Sequence, residues 1–258
     1  MSSKILKEPI GTFQAIFDDE NLTQVAIIAA VGFALFTILI VLLLRGRKSK
    51  KRTILLTGVS DAGKTALFTK LIFGKEAVTY TSIKENSGLY FVKAKGKDVP
   101  LVDIPGNERQ RLQLWEKFKE ETRGLIFVVD SSRFQKEVKE VAEFLYILLT
   151  DPVVHRSKLR LLVVCNKQDV ALAKSAKVIQ TQLEKELNTL RVTRAATLDS
   201  TDTSGQTKEY FLGKEGKNFE FSQLSPMKVE FTECICKGSD EKVTDVESIE
   251  EWIKKVAK

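Results

Sequence analysis

The chain predicts an α/β fold in which a mostly parallel sheet carries helices on both faces. Three observations lead there. Arg52-Thr-Ile-Leu-Leu-Thr-Gly58, a run of strand character, enters the pattern G-x-x-x-x-G-K-T and then a helix-forming segment at 66–73. Two more runs, 124–130 and 159–165, are almost wholly apolar, as strands buried on both faces are. Each is followed by a segment with helical spacing, and strands that alternate with helices imply a parallel sheet. Such a sheet binds ligands at the carboxyl ends of its strands, and every polar motif of chemical interest falls at one.

The elements follow in order. Residues 1–24 form a short mixed segment. Residues 25–44 are an unbroken uncharged and mostly apolar run, VAIIAAVGFALFTILIVLLL, whose length at helical rise matches the hydrocarbon thickness of a bilayer. A buried soluble helix fits less well because nothing polar interrupts the run. A cleaved signal peptide also fits poorly, since the preceding segment is acidic and no small-residue cleavage site precedes the basic cluster. Arg45, Arg47, Lys48, Lys50, Lys51 and Arg52 make the segment 45–52 strongly basic. By the positive-inside rule this end faces the cytosol and the N-terminus faces the lumen. Asn21-Leu-Thr23 is formally a glycosylation sequon, too close to the membrane surface to be expected modified. The basic segment can also meet anionic headgroups.

The rest, 53–258, is expected as one cytosolic domain held close to the bilayer. After the helix at 66–73, Gly74 serves as a stop. Residues 77–87 are polar and expected to be mobile. An outer strand is read at 89–95, a turn at 96–98, and a strand at 99–103 that ends in Asp103-Ile-Pro-Gly106. Residues 107–123 read as a charged helix with Leu112, Leu114, Trp115 and Phe118 for packing. A buried strand at 124–130, a helix at 134–150, a strand at 159–165 and a helix at 175–191 come next. Residues 195–218, rich in Thr, Ser, Asp, Gly and Lys, read as a flexible insertion. A short strand at 219–221, a long one at 227–234 and a helix at 245–258 close the chain.

Composition narrows the function. The net charge is +7, but its excess sits largely in the 45–52 cluster. That distribution argues against nucleic acid as a direct partner. The three cysteines and single histidine show no zinc spacing. Cys165 ends an apolar strand and reads as a small buried hydrophobe. Cys234-Ile-Cys236 is read with its two thiols on opposite strand faces, which makes a disulfide between them unfavourable and suits a reducing compartment.

The chemistry lies in three motifs. In Gly58-Val59-Ser60-Asp61-Ala62-Gly63-Lys64-Thr65, the glycines let backbone N–H groups form an anion-binding nest, to which the following helix adds its positive end. Lys64 can reach the β- and γ-phosphates, and the Thr65 hydroxyl can ligate Mg²⁺. Asp103 can hold that metal through a water, and the Gly106 N–H can sense a γ-phosphate. Asn166-Lys167-Gln168-Asp169 supplies the base specificity. A carboxylate at Asp169 accepts both N1–H and the 2-amino group of guanine, and adenine lacks that donor pair. Asn166 can bond N7 or the loop backbone, and the Lys167 stem can cover the base.

These motifs, in this order and spacing, resemble the small GTPase superfamily, and most closely its ADP-ribosylation-factor side. Ser2 stands where a myristoylated member has glycine, and the last four residues, Lys-Val-Ala-Lys, form no prenylation box. With the apolar run at 25–44, Thr81-Ser-Ile, the insertion and Phe219-Glu-Phe-Ser-Gln-Leu224, the chain is similar to the family of signal recognition particle receptor β subunits. The resemblance implies a P-loop GTPase fold with a six-stranded sheet, preceded by one transmembrane helix in the endoplasmic reticulum membrane. It implies GTP and Mg²⁺ as ligands, with Gly58 through Thr65, Ala66, Gly106, Asn166, Lys167 and Asp169 around the nucleotide. Thr79, Tyr80, Thr81 and Ser82 are implied as the first switch, and Thr81 as the second hydroxyl on the metal beside Thr65 and Asp103. Where the family usually has Ser-Ala-Lys touching the base, this chain has Ile235-Cys236-Lys237, so a backbone contact at Cys236 survives and a serine hydroxyl does not. Asn107 takes the place of a water-orienting glutamine and, being shorter, implies slow hydrolysis. The implied partner is the receptor α subunit, bound in the GTP state through segments 79–87 and 107–118. A trafficking GTPase that recruits coat or tether proteins, or an anchor without nucleotide, are the alternatives.

Overall fold

The computed structural model describes residues 19–45, 52–76, 79–199, 210–238 and 244–257. The chain divides into two compact units, one ending at Ser49 and one beginning at Lys50. The first holds a single helix, α1 (Asp19–Arg45). Its described apolar side chains are exposed, Ile28 and Phe33 both at 71%. Side chains in α1 are described for residues 24–40, and among the described residues no helix is long and apolar enough to cross a membrane. Residues 41–44 of the span read at 25–44, and 45–51 of the basic segment 45–52, lie outside the residues whose side chains are described.

The second unit contains β1 (Thr53–Thr57), α2 (Lys64–Phe73), β2 (Asn86–Val92), β3 (Lys97–Asp103), α3 (Glu108–Phe118), β4 (Thr122–Asp130), α4 (Phe134–Thr150), α5 (Pro152–Ser157), β5 (Arg160–Asn166), α6 (Ala176–Asp199), β6 (Lys228–Glu233) and α7 (Glu247–Val256). The strands form one six-stranded sheet in the order β2-β3-β1-β4-β5-β6. All pairings are parallel except that of the edge strand β2 with β3. The centre is apolar through its thickness: Ile54, Leu55, Leu56, Leu125, Ile126, Phe127 and Val128 are buried. Helices cover it with stripes at helical spacing, Val141, Phe144, Leu145 and Leu148 on α4 and Ile249, Trp252, Ile253 and Val256 on α7. Gly124 lets α7 approach β4, because a Cβ there would sit 2.9 Å from the Trp252 ring. The register aligns Leu56 with Asp103 and Asp130 with Asn166, so the ends of β1, β3, β4 and β5 share one edge.

Several boundaries differ from the sequence reading. The helix expected at 107–123 stops at Phe118, and Thr122 pairs with Thr53 as the first residue of β4. There the Thr122 hydroxyl donates to Phe118 O, and sheet pairing wins over a run of charged helix formers. β2 starts earlier than residue 89, since Asn86 pairs with Asp103, and Lys93–Lys95 leave the strand as a 3₁₀ turn. No strand forms at 219–221; Phe221–Leu224 is a 3₁₀ turn whose buried Phe221 packs edge-on against both Phe219 and Phe231. The insertion expected at 195–218 is partly regular. α6 runs on to Asp199, residues 200–209 lie outside the described ones, and 212–217 are tied to Arg191, whose guanidinium donates to Leu212 O, Lys214 O and Lys217 O.

Candidate functional site

β1 delivers the chain into the loop 58–63. Gly63 has φ 94°, and a Cβ on it would lie 2.2 Å from Asn166 Nδ2, so both the turn and the close approach demand glycine. α2 then begins at Lys64. Lys64 is buried, and its Nζ donates to Val59 O at 2.6 Å. Burial lowers its ammonium to about 8, against the opposing pull of Asp103. A cation kept in poor solvation at a helix N-terminus is a strong anion site, because an incoming phosphate restores what burial removed.

Asp103 ends β3 and is fully buried. Its Oδ2 accepts from Thr65 Oγ1 at 2.8 Å and from Asn86 Nδ2 at 3.0 Å. Its Oδ1 has no hydrogen-bond partner among the described residues, and burial raises the carboxyl above its ordinary value. Ser82 Oγ lies 3.0 Å from Thr65 Oγ1, whereas the Thr81 hydroxyl donates to Asp61 Oδ1 at 3.4 Å. The structure therefore brings Ser82, not Thr81, to Thr65. The donors Thr65, Ser82 and Asp103 are hard oxygens, and an orphaned carboxylate oxygen among them fits Mg²⁺ or a water on it.

The opposite wall is built on β5. Asn166 is buried; its Nδ2 donates to Ala62 O at 2.9 Å, and its Oδ1 accepts from Cys236 N–H at 3.1 Å and from the Cys234 thiol at 3.4 Å. Of the two roles open to Asn166, the amide takes the bonding of loop backbone. Lys167 has φ 65° and pairs with Asp130 at 2.6 Å. Burial alone would raise Asp130, but Lys167 and the Ser132 bonds outweigh it and the carboxyl lies below its ordinary value. Gln168 turns away, donating to Ser131 Oγ and Lys174 O. The thiols of Cys234 and Cys236 are 3.6 Å apart, which corrects the expectation of opposite faces. Residues two apart on extended chain share a face, and the strand itself ends at Glu233.

These walls enclose one cavity of about 650 Å³, within the size range of small-molecule sites. It is lined by Ser60, Asp61, Gly63, Lys64, Thr65 and Ala66 of the loop and α2, by Asn166, Lys167, Asp169 and Cys236, and by Thr79, Tyr80, Thr81, Ser82 and Gly106. Gly58, Val59 and Ala62 stand behind this surface: a Cβ on Gly58 would strike Val128 O, and Ala62 O is the acceptor for Asn166. Gly106 packs on the loop, where a Cβ would sit 2.6 Å from Ser60 N. Asn107 lines a neighbouring depression with Ile83, Arg109, Gln110 and Gln113, which shares Thr81 and Ser82 with the cavity. Sequence reasoning passed over Asn86 and Asp130. A strand-pairing argument could have found Asn86 opposite Asp103; the ion pair of Asp130 depends on sheet order, which local pattern does not encode.

Residues 49–229 match the family model described as the signal recognition particle receptor beta subunit. The chain is 47% identical over 257 residues to the signal recognition particle receptor subunit beta of Homo sapiens, covering 96% of this chain and 94% of the relative. It is similar to a solved structure described as that of the mammalian SRP receptor, with 47% identity, a TM-score of 0.68, and coverage of 80% of this chain and all of the other. A signal recognition particle receptor SRb-GTP/SRX complex from Chaetomium thermophilum shares the fold, at 19% identity and a TM-score of 0.62, over 79% of this chain and 99% of the other.

Proposed function

The chain belongs to the signal recognition particle receptor beta subunit family, and from that premise we propose that it is the guanine-nucleotide-binding, membrane-anchored subunit of such a receptor. In its GTP state it binds the receptor α subunit and holds it at the endoplasmic reticulum for co-translational targeting. The observation that carries the reading is one cavity bounded by Lys64 and Thr65 at one end and by Asp169 at the other. Phosphates belong at the first end and a guanine edge at the second. Thr65, Ser82 and Asp103 would hold Mg²⁺, with Thr81 as the neighbouring alternative to Ser82. When bound, the ion neutralises charge on the β- and γ-phosphate oxygens.

The chain's own residues do the rest. Lys64 meets the terminal phosphates, Asp169 selects guanine, and Asn166 keeps base wall and phosphate loop at a fixed separation. Gly106 follows the terminal phosphate, and segments 79–87 and 107–118 present the result to a partner. Residues 77–78, just ahead of that surface, lie outside the described ones. Asn107 offers a short amide to a hydrolytic water, which suits slow turnover and a long-lived GTP state.

The anchor reading rests on α1. A helix with apolar side chains exposed along it, such as Ile28, Phe33 and Phe36, needs apolar surroundings. Residues 25–44 give it bilayer length, and the basic residues after it orient the second unit to the cytosol. A permanent span fits a docking subunit better than a trafficking GTPase that must leave the membrane.

The test uses the full chain, solubilised in detergent and loaded with GTP or GDP, to retain the receptor α subunit. Retention with GTP and its loss with GDP is expected. Equal retention in both states would favour an anchor indifferent to nucleotide, and captured coat proteins would favour a trafficking GTPase.

A further inference from the structure

Cys234 and Cys236 lie just past β6, both buried, with sulfurs 3.6 Å apart. They meet at one atom. Asn166 Oδ1 accepts from the Cys236 N–H and from the Cys234 thiol, while the same side chain donates to Ala62 O in the phosphate loop. The dithiol therefore sits at the joint that fastens the base wall to the phosphate loop. Cys236 also lines the cavity, and Lys237 and Gly238 continue the wall beyond it.

We propose that Cys234 and Cys236 form a reversible modification site, in which a hydroperoxide converts the pair to a disulfide and thereby weakens guanine-nucleotide binding. The inference rests on the cavity being the nucleotide site. Cys236 is reached through the cavity, so attack begins there. Its thiolate takes the nearer peroxide oxygen, the O–O bond breaks, and the second oxygen leaves as hydroxide and is protonated, which oxidises the sulfur to a sulfenic acid. Cys234 then attacks that sulfur. The S–S bond forms, the S–OH bond breaks, and the hydroxide leaves as water with the Cys234 proton. Two thiols lose two electrons and two protons, and the hydroperoxide is reduced. Exchange with a small thiol reverses the step.

The division of roles follows from surroundings. The hydrogen bond to Cys236, together with burial, pushes the Cys234 thiol well above its ordinary range, so it is a poor first nucleophile, and its place 3.6 Å from Cys236 is what lets it act second. Cys165, inside β5, is pushed up to about 12 by burial and takes no part. Closing the sulfurs from 3.6 Å to a bond of about 2.05 Å must shift the 234–236 stretch of the wall. It also removes the Cys234 S–H donor from Asn166. A lost hydrogen bond with a displaced wall predicts an affinity loss on the order of tenfold. A nucleotide filling the cavity shields Cys236, so loading and oxidation oppose each other.

The experiment treats the full chain in detergent with hydrogen peroxide, removes the excess with catalase, and measures fluorescent GTP affinity before and after. Tryptic digestion places both thiols on one peptide, residues 229–237, which must become lighter by two hydrogens. The expected result is that mass change, about tenfold weaker binding, recovery with dithiothreitol, and slower oxidation when GTP and Mg²⁺ are present beforehand. Within Cys236→Ala the ratio of treated to untreated affinity should be near one, whatever its own affinity, and within Cys165→Ala the ratio should match the unsubstituted chain. Both thiols still open to alkylation after peroxide, or a disulfide that leaves affinity unchanged, or a persistent loss in Cys236→Ala, overturns the proposal. A reduced chain that binds no GTP instead overturns the nucleotide reading, and this inference with it.

Discussion

The two sides of the cavity are held in different ways. On the base side, Asn166 is buried and joins two loops through bonds to Ala62 and Cys236, and Lys167 is held by a buried carboxylate at Asp130. On the switch side, Tyr80 is 86% exposed and Ile83 77%. That segment is linked to α3 at the rim by the pair Lys117–Glu85, whose side chains are 57% and 31% exposed. Bonds made in low dielectric fix geometry; exposed pairs are worth little and give way to a competitor. The contrast predicts a cradle that recognises its ligand rigidly and a rim that answers to it.

That contrast can be broken from either side. The largest effect is expected at Asp169→Asn, which leaves guanine's donor pair without its carboxylate. The preference for GTP over ATP, measured by competition, should fall by on the order of a thousandfold or more. At the other end, Lys64→Ala should weaken GTP binding roughly a hundredfold in calorimetry by removing a charge-assisted phosphate contact. The pH dependence sharpens the same point. Burial holds the Lys64 ammonium at about 8, and a phosphate beside it would raise it again. Binding therefore takes up a proton above pH 8, and affinity should fall by up to about tenfold per pH unit there. Lys64→Arg, which stays charged, should flatten that slope and separates Lys64 from titration of the base. Smallest of all, Glu85→Gln should change stability by less than about 1 kcal/mol in thermal unfolding. A large loss there would mean that the rim is fixed as firmly as the base wall.

The central strands and the phosphate loop were legible because their signals are local. An apolar run followed by G-x-x-x-x-G-K-T needs no knowledge of distant residues, and the cavity forms around it. Asp103 and Asp169 were legible through their places at strand ends. What escaped depends on pairing between segments far apart in the chain. Asn86 reaches Asp103 only because β2 runs antiparallel to β3, and Asp130 meets Lys167 only because β4 lies beside β5. Choosing between Thr81 and Ser82 needed the path of the chain, since adjacent hydroxyls look alike in sequence. The end of α3 escaped because Thr122 is claimed by the sheet while its neighbours favour helix. α5 carries its own local signal, Asp151 accepting from Val153 N–H with Pro152 behind it, in a stretch where no element was read.

The most direct test of the account is the nucleotide preference of the full chain in detergent with Mg²⁺, measured by competition between GTP, GDP and ATP for a fluorescent guanine nucleotide. The account predicts displacement by GTP and GDP and none by ATP at the same concentrations. Displacement by ATP as good as by GTP, or no binding at millimolar GTP, would contradict it.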